Sequence, residues 1–323
     1  MSRIVSLLPA ATEIAAALGL MENVVGVSHE CDFPKEANLR PRVTRLRIDP
    51  TARQARASDS STREMNSRQV DEWVRRALRE NGTIYTIDEP LLRELRPDVI
   101  LTQKLCDVCA VGYGTVARLA ETLPGPPRVV NLEPASLSDI FDDIRRVADA
   151  CGVKGRAEEV IAKLSARVET VRERAAQTAR RPRCFLMEWV DPPFCSGHWE
   201  PELVEIAGGD DLLGRKHRPS AQIAWQQVLD ARPEIIVLAL CGYDVDLARR
   251  DYELLRRFPG FDSLPAARNG EIYLVDATAY FARPGPRVVD SLEILAGILH
   301  PEDFPEFAPR NAGNQRVSIV PLR

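Results

Sequence analysis

Short apolar runs alternate along this chain with longer segments whose apolar positions recur every three or four residues. Ile4, Val5, Leu7 and Leu8 make the first run, which ends at Pro9. The alanine-rich stretch after it reads as a helix, with Gly19 where that helix should stop. Further strand-like runs lie at 24–28, 99–102, 128–131, 184–187, 235–238 and 272–275. Buried strands alternating with helical segments predict parallel sheets covered by helices on both faces, so the fold class is α/β.

Two stretches depart from this rhythm. Residues 49–82 are rich in Arg, Ser, Asp and Gln, and their large apolar residues are sparse until Val70, Trp73, Val74 and Leu78. Those four fall at helical spacing, which predicts a polar loop leading into one amphipathic helix. From Gly155 to about Arg180, Val160, Ile161, Leu164, Val168 and Val171 form one apolar stripe. At about 1.5 Å per residue this helix would be nearly 40 Å long, suited to a stiff connector. The expected organisation is an α/β lobe over 1–150, a connecting helix over 151–181 and a second α/β lobe over 182–300. The polar, unpatterned segment 301–323 reads as a mobile tail. An internal echo supports two similar lobes: Leu95-Arg96-Pro97-Asp98-Val99-Ile100 resembles Ala231-Arg232-Pro233-Glu234-Ile235-Ile236.

Size and charge narrow the picture. At 323 residues the chain exceeds what one hydrophobic core usually holds. Its 43 basic and 47 acidic residues give a net charge of −4, which excludes a protein that tracks nucleic-acid phosphates. No apolar run approaches the roughly 18 residues that span a bilayer. The opening apolar run is too short for a secretory signal and reads as a strand. Seven cysteines, an odd number in a chain too large to need a disulfide framework, point to free thiols. The expected compartment is the cytoplasm.

In open parallel sheets, ligands bind beyond the carboxyl ends of the strands. Five cysteines lie just past predicted strand ends: Cys31, Cys106, Cys109, Cys195 and Cys241. Cys184 and Cys151 read as core thiols. With His29 and His198 nearby, soft thiolate and imidazole ligands could converge on a metal ion or an iron–sulfur cluster. A second group at the same ends is aromatic: Trp189, Phe194, Trp199, Tyr243, Tyr280 and Phe281. Aromatic walls suit a large planar or apolar ligand, oriented here by His29, Glu30, Glu188 and His198. No nucleophile elbow, phosphate-binding loop or His-Glu-x-x-His motif occurs. An enzyme would have to rest on the thiols, activated by His29 or His198.

Several segments together resemble a known family. They are Ser6-Leu7-Leu8-Pro9-Ala10-Ala11-Thr12-Glu13, Val25-Gly26-Val27-Ser28 and Asp32-Phe33-Pro34. Leu95-Arg96-Pro97-Asp98, Asp191-Pro192-Pro193-Phe194-Cys195-Ser196-Gly197 and Tyr280-Phe281-Ala282-Arg283-Pro284-Gly285-Pro286-Arg287 complete the set. The chain resembles the helical-backbone solute-binding proteins of ABC importers, and within them the cobalamin-binding proteins. That resemblance implies two Rossmann-like lobes joined by one rigid helix, with a corrinoid held in the cleft between them and no catalysis. Phe194 and Tyr280 match the family's pattern. Glu30 stands where transported-cobalamin binders have an aromatic residue, and Arg45 and Ser220 stand where they have tryptophans. Glu89 matches the first lobe's permease-docking glutamate, whereas the second lobe has Gln226. These departures argue against permease docking and leave three expectations. The first is a non-catalytic corrinoid-binding protein, the second a cytoplasmic metal or iron–sulfur protein, and the third a thiol-dependent enzyme.

Overall fold

Runs that are apolar on both faces can sit only where both faces are covered, and each forms a strand of a helix-covered sheet. The computed structural model describes residues 2–47, 65–104, 112–309 and 317–319. Among these, one compact unit comprises 2–47, 72–104, 112–134 and 138–163. The other comprises 65–71, 135–137, 164–309 and 317–319.

The first unit holds a four-stranded parallel sheet. Its strands are β1 (Ile4–Ser6), β2 (Val24–Val27), β3 (Val99–Gln103) and β4 (Arg128–Leu132), in the order β2-β1-β3-β4. Helix α1 (Pro9–Ala17) starts with proline in its first turn, where no intrahelical N–H is needed, and the chain turns away through Gly19 at φ 69°. Gly26 in β2 is closely packed: a Cβ there would stand 2.6 Å from Leu95 Cδ1, so that side chain would have to shift. Helix α2 (Ser67–Asn81) carries the amphipathic pattern, and its Trp73, Ala77 and Leu78 pack into the core with Tyr85 and Leu92. The polar loop expected ahead of it lies mostly outside the described residues.

The second unit is built on β5 (Arg183–Trp189), β6 (Phe194–Cys195), β7 (Ile235–Leu238), β8 (Ile272–Val275) and β9 (Val317–Ile319). The pair Ala221–Gln222 precedes them in the order β6-β5-β7-β8-β9. β5, β7 and β8 are parallel, whereas β6 and β9 join antiparallel at the flanks. Gly208-Gly209-Asp210-Asp211, too short for a dinucleotide fingerprint, makes a turn and then a two-residue strand beside β5.

The connecting helix is α3 (Lys154–Ala175), 22 residues and about 33 Å. It is shorter than the stripe alone suggested. Ala157, Ile161, Leu164, Val168 and Val171 are its buried face. Within the second unit Arg167 donates to Glu293 (2.8 Å) and pairs with Asp290, which ties α3 to the later helix Val288–Leu299.

The internal echo is a repeated piece of structure. Arg96 (φ 44°) and Arg232 (φ 49°) each end a helix in the left-handed region before a proline. The acidic residue that follows then accepts from the backbone at the start of each unit's first strand. Asp98 takes the Arg3 N–H at 2.7 Å, and Glu234 takes the Arg183 N–H at 2.9 Å. Their own N–H groups return to the Arg3 and Arg183 carbonyls, both at 2.8 Å.

The expected mobile tail is corrected for its described parts. Phe304 is fully buried, stacks near Phe307 and lies under the Arg174 guanidinium at 4.2 Å. Gly297 admits this segment, since a Cβ there would meet the Phe307 carbonyl oxygen at 2.3 Å. β9 then closes the flank of the sheet. Two phenylalanines spaced three apart in a polar stretch were too faint a pattern to reveal this.

Candidate functional site

β5 of the second unit is buried from Cys184 through Met187 and becomes partly exposed at Glu188 and Trp189, its carboxyl end. β6 returns antiparallel and sets Phe194 opposite Trp189, a cross-strand aromatic pair. Tyr243, just beyond β7, meets the Trp189 ring edge-on with centroids 5.1 Å apart. Tyr280, beyond β8, is partly exposed, and the Arg287 guanidinium stands 5.4 Å from its ring. Trp189, Phe194 and Tyr280 therefore offer aromatic surface at the ends of neighbouring strands. Phe281 is fully buried, and Trp199 and Tyr243 are nearly so, which places all three in the core instead of on a wall.

The hairpin carrying Phe194 and His198 is held from beneath by carboxyl groups. Glu188 Oε1 accepts the Gly197 N–H at 2.7 Å. Gly197 packs so closely that a Cβ would lie 2.2 Å from the Ser220 nitrogen. Glu188 is hydrogen-bonded to the Glu200 carboxyl, which is only 4% exposed. Burial first, and then the Glu188 charge, push Glu200 well above the usual carboxylate range. Burial raises Glu188 too, so both carboxyls hold a proton more tightly than exposed ones would. Asp211 beside them is pushed up to about 6 by burial, while it accepts from Ser196 and from the Gly214 N–H. Glu188 thus faces inward as a brace. His198 is partly exposed, and burial lowers its pKa, which favours neutral imidazole.

In the first unit His29 follows β2. Its N–H and Nδ1 both engage Thr44 Oγ1, at 3.1 and 2.8 Å, and its ring lies 5.4 Å from Tyr85. Glu30 is exposed, with Oε1 3.9 Å from His29 Nε2. Arg42 pins this turn by donating to the Ser28 carbonyl at 2.8 Å and to that of Cys31.

Among the described residues the cysteines take part in no metal-holding group. Cys31 is buried in the first unit within hydrogen-bond distance of Thr12 and Ser28. Cys184 and Cys195 are buried in the second sheet, and Cys241 is exposed. Cys106 and Cys109 lie outside the described residues. Among the described residues no group of three or more His, Cys, Asp or Glu is placed to hold a metal ion. Burial pushes the Cys31, Cys184 and Cys195 thiols up, the opposite of what a nucleophile or thiolate ligand needs. A cysteine past a strand end fills space as readily as it points outward.

The sequence reading missed Ser67, Asp191 and Asp251. The Ser67 N–H donates to Asp251 Oδ2 (2.8 Å), its hydroxyl accepts the Asp191 N–H (3.1 Å), and its carbonyl accepts Trp189 Nε1 (3.2 Å). An available signal was Asn66-x-x-Gln69: each side chain accepts the other's backbone N–H, a reciprocal cap that starts α2. Glu89 is exposed at the start of the helix Glu89–Leu95, and Gln226 is exposed and donates to Asp230 at 2.8 Å.

Comparison with known proteins adds the family context. A family model described as "Periplasmic binding protein" matches residues 4–279. A vitamin B12-binding protein of Yersinia pestis (strain Pestoides F) is 25% identical over 248 residues, 76% of this chain and 71% of that protein. An uncharacterised ABC transporter substrate-binding lipoprotein of Bacillus subtilis (strain 168), YvrC, is 21% identical over 311 residues, covering 94% and 82% respectively. The periplasmic heme-binding protein RhuT from Roseiflexus sp. RS-1, solved in apo form, superposes with a TM-score of 0.67 at 21% identity, covering 94% of this chain and 99% of that one. These matches overturn the cytoplasmic expectation, because the family and its members are described as periplasmic or as a lipoprotein. Free thiols were too weak a sign of compartment. Among the described residues no helix is long and apolar enough to cross a membrane.

Proposed function

We propose that this chain, which belongs to the periplasmic binding protein family, is the solute-binding component of an ABC importer and takes a corrinoid as its cargo. The observation that carries the reading is the aromatic set Trp189, Phe194 and Tyr280 at the strand ends of the second unit, in a chain similar to a vitamin B12-binding protein over three quarters of its length. Ring faces recognise a broad, flat ligand by stacking, and the Glu188 bond to the Gly197 N–H braces the hairpin that carries Phe194. The work is binding without chemistry. His198, partly exposed on the same hairpin as Phe194, supplies a polar group to orient side-chain amides of such a ligand.

The test is a titration of the purified protein with cyanocobalamin, followed by absorbance and by heat. One-to-one saturation with a micromolar or tighter Kd is expected, on the order of −8 kcal/mol. Absence of both heat and spectral change would overturn the reading. A heme is the second reading, favoured by the neutral imidazole at His198. It predicts a Soret shift with hemin that His198→Ala abolishes, and a hemin spectrum unchanged by that substitution would remove it.

A further inference from the structure

Residues Met65–Arg68 form a strap across the carboxyl end of β5, and every group they engage there belongs to the second unit. Ser67 is completely buried: its N–H donates to Asp251, its hydroxyl accepts the Asp191 N–H and also bonds Asp251, and its carbonyl accepts Trp189 Nε1. On one side Arg250 donates to the Met65 carbonyl. On the other, Arg68 forks onto Asp191 Oδ2 with Nε at 2.8 Å and a terminal nitrogen at 2.7 Å. Asp251, fully buried, needs these donors. Burial raises its pKa, and the Ser67 bonds oppose that shift most strongly.

One of the strap's partners, Trp189, belongs to the proposed ligand wall, and another, Asp191, lies in the turn beside it. Trp189 meets the Tyr243 ring and is the cross-strand partner of Phe194, and Asp191 lies in the turn that leads to Phe194. An indole left to rotate would present its face to a ligand only part of the time, and fixing it lowers the ordering cost of binding. We infer that Ser67 and Arg68 are positioning residues for the ligand: the strap locks the Trp189 indole and the Asp191 turn, so strap docking and ligand binding stabilise each other. This rests on the corrinoid reading above. Linkage then requires the effect to run both ways, with ligand tightening the strap as much as the strap tightens ligand.

The experiment pairs cyanocobalamin titration with amide hydrogen exchange on the full chain. Ser67→Ala removes the acceptor of the Asp191 N–H, and Arg68→Ala, at an exposed position that folding tolerates, removes the fork. Each should weaken cyanocobalamin binding about tenfold, the effect of one lost buried or charge-assisted hydrogen bond. Arg68→Lys should recover most of the loss. In the wild type, saturating cyanocobalamin should slow exchange across residues 65–71, which a purely structural contact would not show. Binding unchanged within twofold in both alanine variants, or exchange at 65–71 indifferent to ligand, would overturn the inference and leave the corrinoid reading standing. A wild type that does not bind cyanocobalamin would instead sink that reading, and the inference with it.

Discussion

Phe194 and Phe281 show what a position in the chain can and cannot say. Both lie just beyond predicted strand ends, yet Phe194 is partly exposed opposite Trp189 while Phe281 is fully buried. Placement past a strand end is legible from apolar runs, but the direction of a side chain in a turn is fixed by tertiary packing. The same limit hid Glu200, which looks like an ordinary solvated carboxylate. It is buried at the start of the helix Glu200–Ile206, beside Glu188 and Asp211. At this scale Phe194→Ala should weaken cyanocobalamin binding roughly 2- to 13-fold, the range for one aromatic stacking partner. The melting temperature should stay nearly constant, because Phe194 is not core. Titration and thermal melts of the same preparation check both halves.

The elements themselves were largely written in the pattern. Strands such as 235–238 and 272–275 stand where their unbroken apolar runs placed them, because strands covered on both faces must be apolar throughout. Two-residue strands such as Phe194–Cys195 and Asp210–Asp211 have no period to read, and β9 lies in a stretch without one. The Arg-Pro-acidic echo was legible as sequence, and its meaning came from geometry. Each acid clamps the backbone at the start of the first strand in its unit, so the repeat is structural. Glu234→Ala should therefore cost about 1.5–3 kcal/mol, the worth of a hydrogen bond to a charged acceptor. Urea denaturation measures it, and a midpoint equal to that of the wild type would show that the clamp carries no load.

For the whole molecule, buried acids set how stability responds to pH. Asp143 is fully buried beside Arg146, and burial pushes it up to about 7. Between about pH 4 and 7 the unfolded chain has released that proton while the folded protein keeps it, so stability falls as pH rises through this window. Asp211, at about 6, acts in the same sense. His198 and His300, which burial holds neutral, act oppositely, adding stability as pH rises through their ordinary range. The difference made by Asp143→Asn isolates the acid. The variant should lose less stability than the wild type between pH 5 and 8, as read by urea midpoints, and an unchanged difference would refute the assignment. None of this was legible in a net charge of −4, because pKa shifts arise from burial.

The central claim, that the aromatic strand ends of the second unit hold a corrinoid, meets its most direct test in fluorine NMR of protein labelled with 5-fluorotryptophan. The Trp189 line is identified by its loss in Trp189→Phe. Adding cyanocobalamin should move that line saturably, in step with the absorbance change. Cyanocobalamin bound at full occupancy while the Trp189 line stays still would contradict the account.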